Sequence, residues 1–321
     1  MKKLSLRAVI LLLLLLCLLP QTALAAQTLI PVGRVIGLEL KNDTVTIAGF
    51  AADSCAKAAG VKEGDRLIQI DNTPIHCATD VRKALTHSKG SATLTIRRNK
   101  ETTQIRVSPT ITADGPKLGA YLKEGVTGIG TVTWYDPESK TFAALGHGVN
   151  SPNGQLLNLT QGNTYEAQIV SVRKGKAGSP GQLMGALTGS VPMGTLERNT
   201  PQGVFGKTQT IYSGTALPVA EPSAVETGPA KILSNISGQT VQEYSVEILK
   251  VYPSGKNSDR NMLIRITDPA LLNTTGGIVQ GMSGSPIIQD GKLVGAVTHV
   301  LVNDPTTGYG IFIENMLDAA A

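Results

Sequence analysis

Along the chain, apolar residues come in short runs rich in Val, Ile and Thr, punctuated by Gly, Pro, Asn and Ser, a pattern that predicts β-strands joined by tight turns. The clearest run holds Leu67, Ile68 and Ile70, ends at an Asp71-Asn72 turn, and resumes at Ile75. Thr79 then stands as the cap of one short helix whose Val81, Ala84 and Leu85 share a face, followed by a strand from Ala92 to Arg97. The Pro-containing, turn-rich stretch Thr110 to Pro116 marks a boundary, giving an N-terminal module over residues 26–109 and a second domain over 110–321. From Leu118 onward strand-like runs alternate with turns almost to the end, so the second domain is expected to be all-β.

Composition adds little except at the start. The 321 residues, 41% hydrophobic and 17% charged, suffice for two modest cores. Residues 1–25 read as an export signal: Lys2, Lys3 and Arg7, an apolar run from Ala8 to Leu19, a break at Pro20, and Ala23-Leu24-Ala25 as the cleavage site. The run is short for a transmembrane helix, so cleavage after Ala25 is favoured over retention as an anchor. Without the leader's three cations, 26 basic residues face 24 acidic ones, and no basic cluster interleaved with aromatics tracks a phosphate backbone; nucleic acid is not an expected partner. Cys55 and Cys77 have neither metal-site nor redox-motif spacing, and whether they pair is left open. No metal or cofactor is expected.

The sharpest chemical signal is Gly281-Met282-Ser283-Gly284-Ser285-Pro286. A serine between glycines suits a nucleophile on a tight turn, with the backbone amides of Gly281 and Ser283 converging on a developing oxyanion. A serine hydroxyl needs a base, and His147, between Gly146 and Gly148 after a strand-like run, is the choice for an exposed imidazole. His76 and His87 fall in the N-terminal module, and His299, on an apolar strand, reads as a wall of the substrate pocket.

The serine string resembles the G-D-S-G-G-P motif of trypsin-like peptidases, with Met282 for Asp and Ser285 for the second Gly. The resemblance makes Ser283 the nucleophile and implies a trypsin-like β-barrel domain, and Met282 removes the group that would pair with a freed N-terminus. If that family's order of His, Asp, Ser holds, the acid is Asp259 or Asp268. Asp259 sits in a polar hairpin loop, where a solvated carboxylate is expected. Asp268 ends the strand-like run Met262 to Thr267 before Pro269 and is chosen as the triad acid.

Residues Ala59 to Ile75 resemble the A-G-[aliphatic]-x-x-G-D-x-[aliphatic] hallmark of PDZ domains. That likeness implies a groove in which a peptide adds as an extra strand. Val35, Ile36, Gly37 and Leu38 are the candidate loop and edge, facing Val81 and Leu85 of the helix. Taken together, the leader, the PDZ-like module, Ala144-Leu145-Gly146-His147-Gly148, and the strings Gly276 to Ile288 and Gly295 to Gly310 resemble the stage IV sporulation protein B peptidase family. The resemblance implies an exported serine endopeptidase in the space around the developing spore that cleaves itself and a membrane-tethered regulator of an intramembrane protease, so activating sigma-factor processing. Two other classes compete: a quality-control protease, in which the PDZ domain normally follows the catalytic one, and a non-catalytic peptide-binding module, against which the intact serine turn argues.

Overall fold

The computed structural model describes residues 27–151, 154–253 and 258–321; the leader expected over residues 1–25 lies outside the described residues. The fold is mainly β, a PDZ unit joined to a double-barrel peptidase domain. In the first barrel Val35–Phe50, Ala120–Asp136, Thr141–Ala144, Gly203–Thr208, Gly194–Thr200 and Gln161–Arg173 pair in turn, and the last returns to the first. The second barrel closes through Gly228–Ser237, Thr240–Val251, Met262–Ile266, Asp304–Phe312, Lys292–Leu301 and Pro286–Gln289. Closure leaves no free edge in either ring. Period-two alternation sends Ile36, Leu38 and Leu40 into the first core beside Val132 and Phe142, while Ile232, Val246, Ile264 and Val297 fill the second. Two short helices, Pro269–Thr275 and Ile313–Ala320, interrupt the expected all-β character. Among the described residues no helix is long and apolar enough to cross a membrane.

The PDZ unit is inserted into the first barrel rather than placed ahead of it. The chain leaves the barrel along Val35–Phe50 and returns along Ala120–Asp136, and these long strands stay paired from Phe50 opposite Ala120 to Val35 opposite Thr131. Residues 28–41, expected in the N-terminal module, are therefore barrel material: Thr28–Pro31 pairs with Trp134 and Tyr135, and Gln161–Glu166 pairs with Ile36 to Lys41. The register slips between Leu40 and Val45. There Gly125 adopts φ +74°, and a Cβ would collide with the Leu40 carbonyl, so the junction requires glycine.

Within the unit Val45, Ile47, Leu67, Ile70, Val81, Leu85, Leu94 and Ile96 share one core. The helix, Ala78–His87, starts a residue before the expected Thr79 cap, because the Asp80 carboxylate turns back to accept the amides of His76 and Cys77. Cys55 and Cys77 are free thiols.

The Gly64-Asp65 pair of the motif has a structural explanation. Gly64 turns at φ +87°, and the buried Asp65 carboxylate receives Arg98 Nε and Nη2, each at 2.7 Å, and the Lys62 amide at 2.8 Å. Burial works against the charged form of Asp65, but these donors outweigh it and hold the carboxyl below its ordinary value of 3.8. The stability this contributes is present above the unfolded-state value and is lost as pH falls through the lower folded-state value. Arg98→Met should lower the stability of the PDZ unit at neutral pH and move its acid unfolding midpoint upward, measured by denaturant titrations across pH with circular dichroism.

Candidate active site

The turn before Pro286–Gln289 presents Ser283 to a cleft of about 740 Å³ between the barrels. Local chemistry sets its shape. Met282 is fully buried in the second core, which draws the turn inward and leaves its neighbour Ser283 half-exposed. Gly281 and Gly284 turn at φ +100° and +96°. At Gly284 any Cβ would strike the Thr131 carbonyl, so glycine is required for the approach of the two barrels. Ser285 is fully buried, its hydroxyl donating to Ser234 at 3.1 Å, which removes it as a rival nucleophile.

The first barrel grips this turn through Thr131. Its hydroxyl donates to the Gly281 carbonyl at 2.7 Å, its amide donates to the Ser283 carbonyl at 3.3 Å, and its own carbonyl accepts the Leu145 amide at 3.2 Å. The amides of Met282, Gly284 and Ser285 are committed to the carbonyls of Val279, Val297 and Met282. Those of Gly281 and Ser283, the pair expected to cradle an oxyanion, make no backbone bond among the described residues.

His147 lines the same cleft. Leu145 and Gly146 both take positive φ, +73° and +68°, and this paired left-handed turn after Thr141–Ala144 swings the histidine off the barrel rim. Its Nδ1 lies 2.9 Å from the Gly148 carbonyl. A carbonyl only accepts, so the neutral ring carries its proton on Nδ1 and keeps the Nε2 lone pair for base chemistry. The Ser283 hydroxyl in this state donates to the Thr298 carbonyl at 2.7 Å.

His299, expected on the pocket wall, does line the cleft, its ring centroid 5.2 Å from that of His147. Asp268 requires a correction. It is the N-cap of Pro269–Thr275, with Oδ1 accepting the amides of Ala270 and Leu271 at 2.9 and 3.0 Å, and it does not line the cleft. The Thr-Asp-Pro string that suggested an acid at a strand end is a helix start, with Asp as cap and Pro in the first turn. The carboxylate that does reach the cleft is Asp259, its Oδ2 3.7 Å from His299 Nε2. Thr131 was not singled out from the sequence, and Asp259 was weighed as the acid but passed over for Asp268. The first carries no local signal, and the second was obscured by its polar surroundings.

The peptide groove also moves. Val35, Ile36, Gly37 and Leu38 do not form an edge: Ile36 to Leu38 have Gln161–Arg173 on one side and Ala120–Asp136 on the other, and a large side chain at Gly37 would run into Leu187. Val81 and Leu85 instead border a groove of about 630 Å³ whose opposite wall is Leu118 to Leu122. Residues Ala120 to Leu122 pair with Ile47–Phe50 on one side and with no strand on the other among the described residues, leaving an edge for an incoming peptide. The signal for it was Leu118-Gly119-Ala120-Tyr121-Leu122, a glycine ahead of an apolar strand that lies beyond the presumed domain boundary.

Helix capping makes a specific prediction for Asp268. Asp268→Ala should cost about 0.5–2 kcal/mol in urea unfolding, whereas Asp268→Asn, also a competent cap, should keep both stability and turnover within about twofold.

Comparison with known proteins identifies both parts of the chain. A family model described as SpoIVB peptidase S55 matches residues 114–317, and a PDZ domain model matches residues 35–108. Two curated relatives named as putative zinc metalloproteases, from Rhizobium meliloti and Agrobacterium fabrum, are 37% and 35% identical over 86 residues, which is 26% of this chain and 23% of each relative. The chain thus spans less than a quarter of their length. Among the described residues no three His, Cys, Asp or Glu side chains cluster closely enough to hold a metal ion.

Proposed function

The chain belongs to the SpoIVB peptidase S55 family and is a serine peptidase with a PDZ domain, and from this premise we propose that Ser283 is its nucleophile and His147 its general base. One observation carries the reading: a half-exposed serine on a two-glycine turn shares a cleft with a histidine whose tautomer leaves Nε2 free. In the reaction, the Ser283 hydroxyl exchanges the Thr298 carbonyl for His147 Nε2, gives up its proton and attacks the scissile carbonyl. The amides of Gly281 and Ser283 receive the oxyanion. His147 then protonates the leaving amine, and water releases the acyl group by the same steps in reverse. With Met282 apolar and buried, no ion pair to a new N-terminus is available at that position to assemble the turn.

The substrates proposed are proteins: the chain itself, near its N-terminus, and a membrane-tethered regulator of an intramembrane protease in sporulation signalling. The proposed site of action is outside the cytoplasmic membrane, in the space around the developing spore. The groove between Ala78–His87 and Leu118–Leu122 supplies the means of selecting targets, because tethering a protein there raises its concentration at the cleft without altering the chemistry.

Ser283→Ala and His147→Ala should each lower peptide hydrolysis by at least about 1,000-fold with unchanged far-UV circular dichroism, while Ser285→Ala keeps most activity. Mass analysis of the N-terminus checks self-cleavage: processing beyond Ala25 should occur in the parent and vanish in Ser283→Ala, and identical termini in both would sink it. Ala78→Trp, which fills the groove, should slow processing of a protein target several-fold more than hydrolysis of a short peptide. Equal losses on both would mean that the module supports the catalytic fold instead.

A further inference from the structure

His147 has an incomplete electrostatic setting. Its Nδ1 is held by the Gly148 carbonyl, a neutral group, and among the described residues no carboxylate forms an ion pair with it. The imidazolium that forms when Ser283 loses its proton therefore needs stabilisation from elsewhere in the cleft.

Strand Lys292–Leu301 supplies a candidate. Its pairing with Asp304–Phe312 slips between Val297 and His299, a bulge that leaves Thr298 out of register and re-aims the residue after it. Thr298 uses both its polar groups at the site. Its carbonyl accepts the Ser283 hydroxyl at 2.7 Å, and its own hydroxyl donates to the Asp259 carbonyl at 2.8 Å, pinning that loop residue to the strand. Asp259 then stands with Oδ2 3.7 Å from His299 Nε2, and the His299 ring is tilted 42° to His147 with centroids 5.2 Å apart. His299 Nδ1 is buried without a hydrogen-bond partner. An uncharged ring with a carboxylate 3.7 Å from its Nε2 favours a cation on the neighbouring ring, because the carboxylate attracts the charge and the ring adds none of its own.

Resting on the assignment of Ser283 and His147 above, we propose that His299, oriented by Asp259, is a positioning residue that fixes the His147 ring and stabilises the imidazolium formed there. The groups facing it are consistent with a neutral role. Burial chiefly, then the charge on His147, keep its proton affinity below that of an ordinary histidine; Asp259 opposes this, and Arg260, stacked over Tyr309 and 3.8 Å from Asp259, adds to it. A neutral His299 avoids placing a second positive charge beside the base.

The test pairs steady-state kinetics on a short peptide with the rate at which a small fluorophosphonate labels the active serine, a reaction that needs the base but few substrate contacts. His299→Phe should lower kcat and the labelling rate together, by about tenfold or more, with KM changed by less than about twofold. His299→Gln, which retains a donor for Asp259, should recover part of that loss, and Asp259→Asn should lower both rates in the same direction. Because Asp259 lies on a loop, its variant keeps the test available where a ring substitution disturbs the strand. A raised KM with labelling unchanged would overturn the proposal and leave His299 as pocket wall alone. Labelling that persists in Ser283→Ala would instead overturn the nucleophile assignment beneath it, whereas labelling that depends on Ser283 and His147 but not on His299 or Asp259 overturns only the positioning role.

Discussion

The structure depends on the contact of a first-barrel strand with the Ser283 turn of the second. Thr131 holds the carbonyls of Gly281 and Ser283, and Gly284 is pressed against the Thr131 backbone so closely that no side chain fits. Thr131 is fully buried, so loss of either bond would leave one of its polar groups unsatisfied as well as a displaced turn. The same strand fixes the Leu145 amide and hence the start of the loop that carries His147. One residue with no catalytic chemistry of its own thus sets the relation between the proposed nucleophile and the proposed base, which come from different barrels and share no local sequence.

This explains what could be read from the linear chain. The tight turn at Ser283 with its flanking glycines, and the cleft position of His147, were legible because they rest on local backbone: a turn too tight for a Cβ, and a histidine lifted by a positive-φ pair. Met282 was read as the loss of an ionic partner, and its burial gives that substitution a positive role in anchoring the turn. Asp259 was legible only as one of two candidates, since its place in the cleft depends on a hydroxyl from Thr298, 39 residues away, taking hold of its backbone. Asp268 failed for the opposite reason: an Asp-Pro pair after an apolar run fits a strand end and a helix cap equally, and only the following turn of Pro269–Thr275 decides.

The PDZ unit shows the same division. Its Gly-Asp motif, strand, turn and helix are local and were found in the expected order. The peptide edge was misplaced because Val35 to Leu38 has the alternation that any half-buried strand has, and nothing within it reveals two pairing partners more than 90 residues on. The boundary suggested by Thr110 to Pro116 is a surface hairpin packed next to the helix, where the PDZ match ends and the peptidase match begins.

Insertion of one unit inside a strand pair of another has a consequence for the order in which the chain folds. Residues from about Val45 to Glu124 form a contiguous core that is complete once they alone have emerged. The flanking segment Val35 to Leu40 gains its second neighbour only when Gln161–Arg173 appears, and its ring closes later still, with Gly203–Thr208. Non-local pairings of this kind close slowly. A chain released N-terminus first would therefore hold a finished peptide-binding unit while its peptidase half was still unstructured. Under the self-cleavage proposed above, target recognition would mature before the capacity to cut.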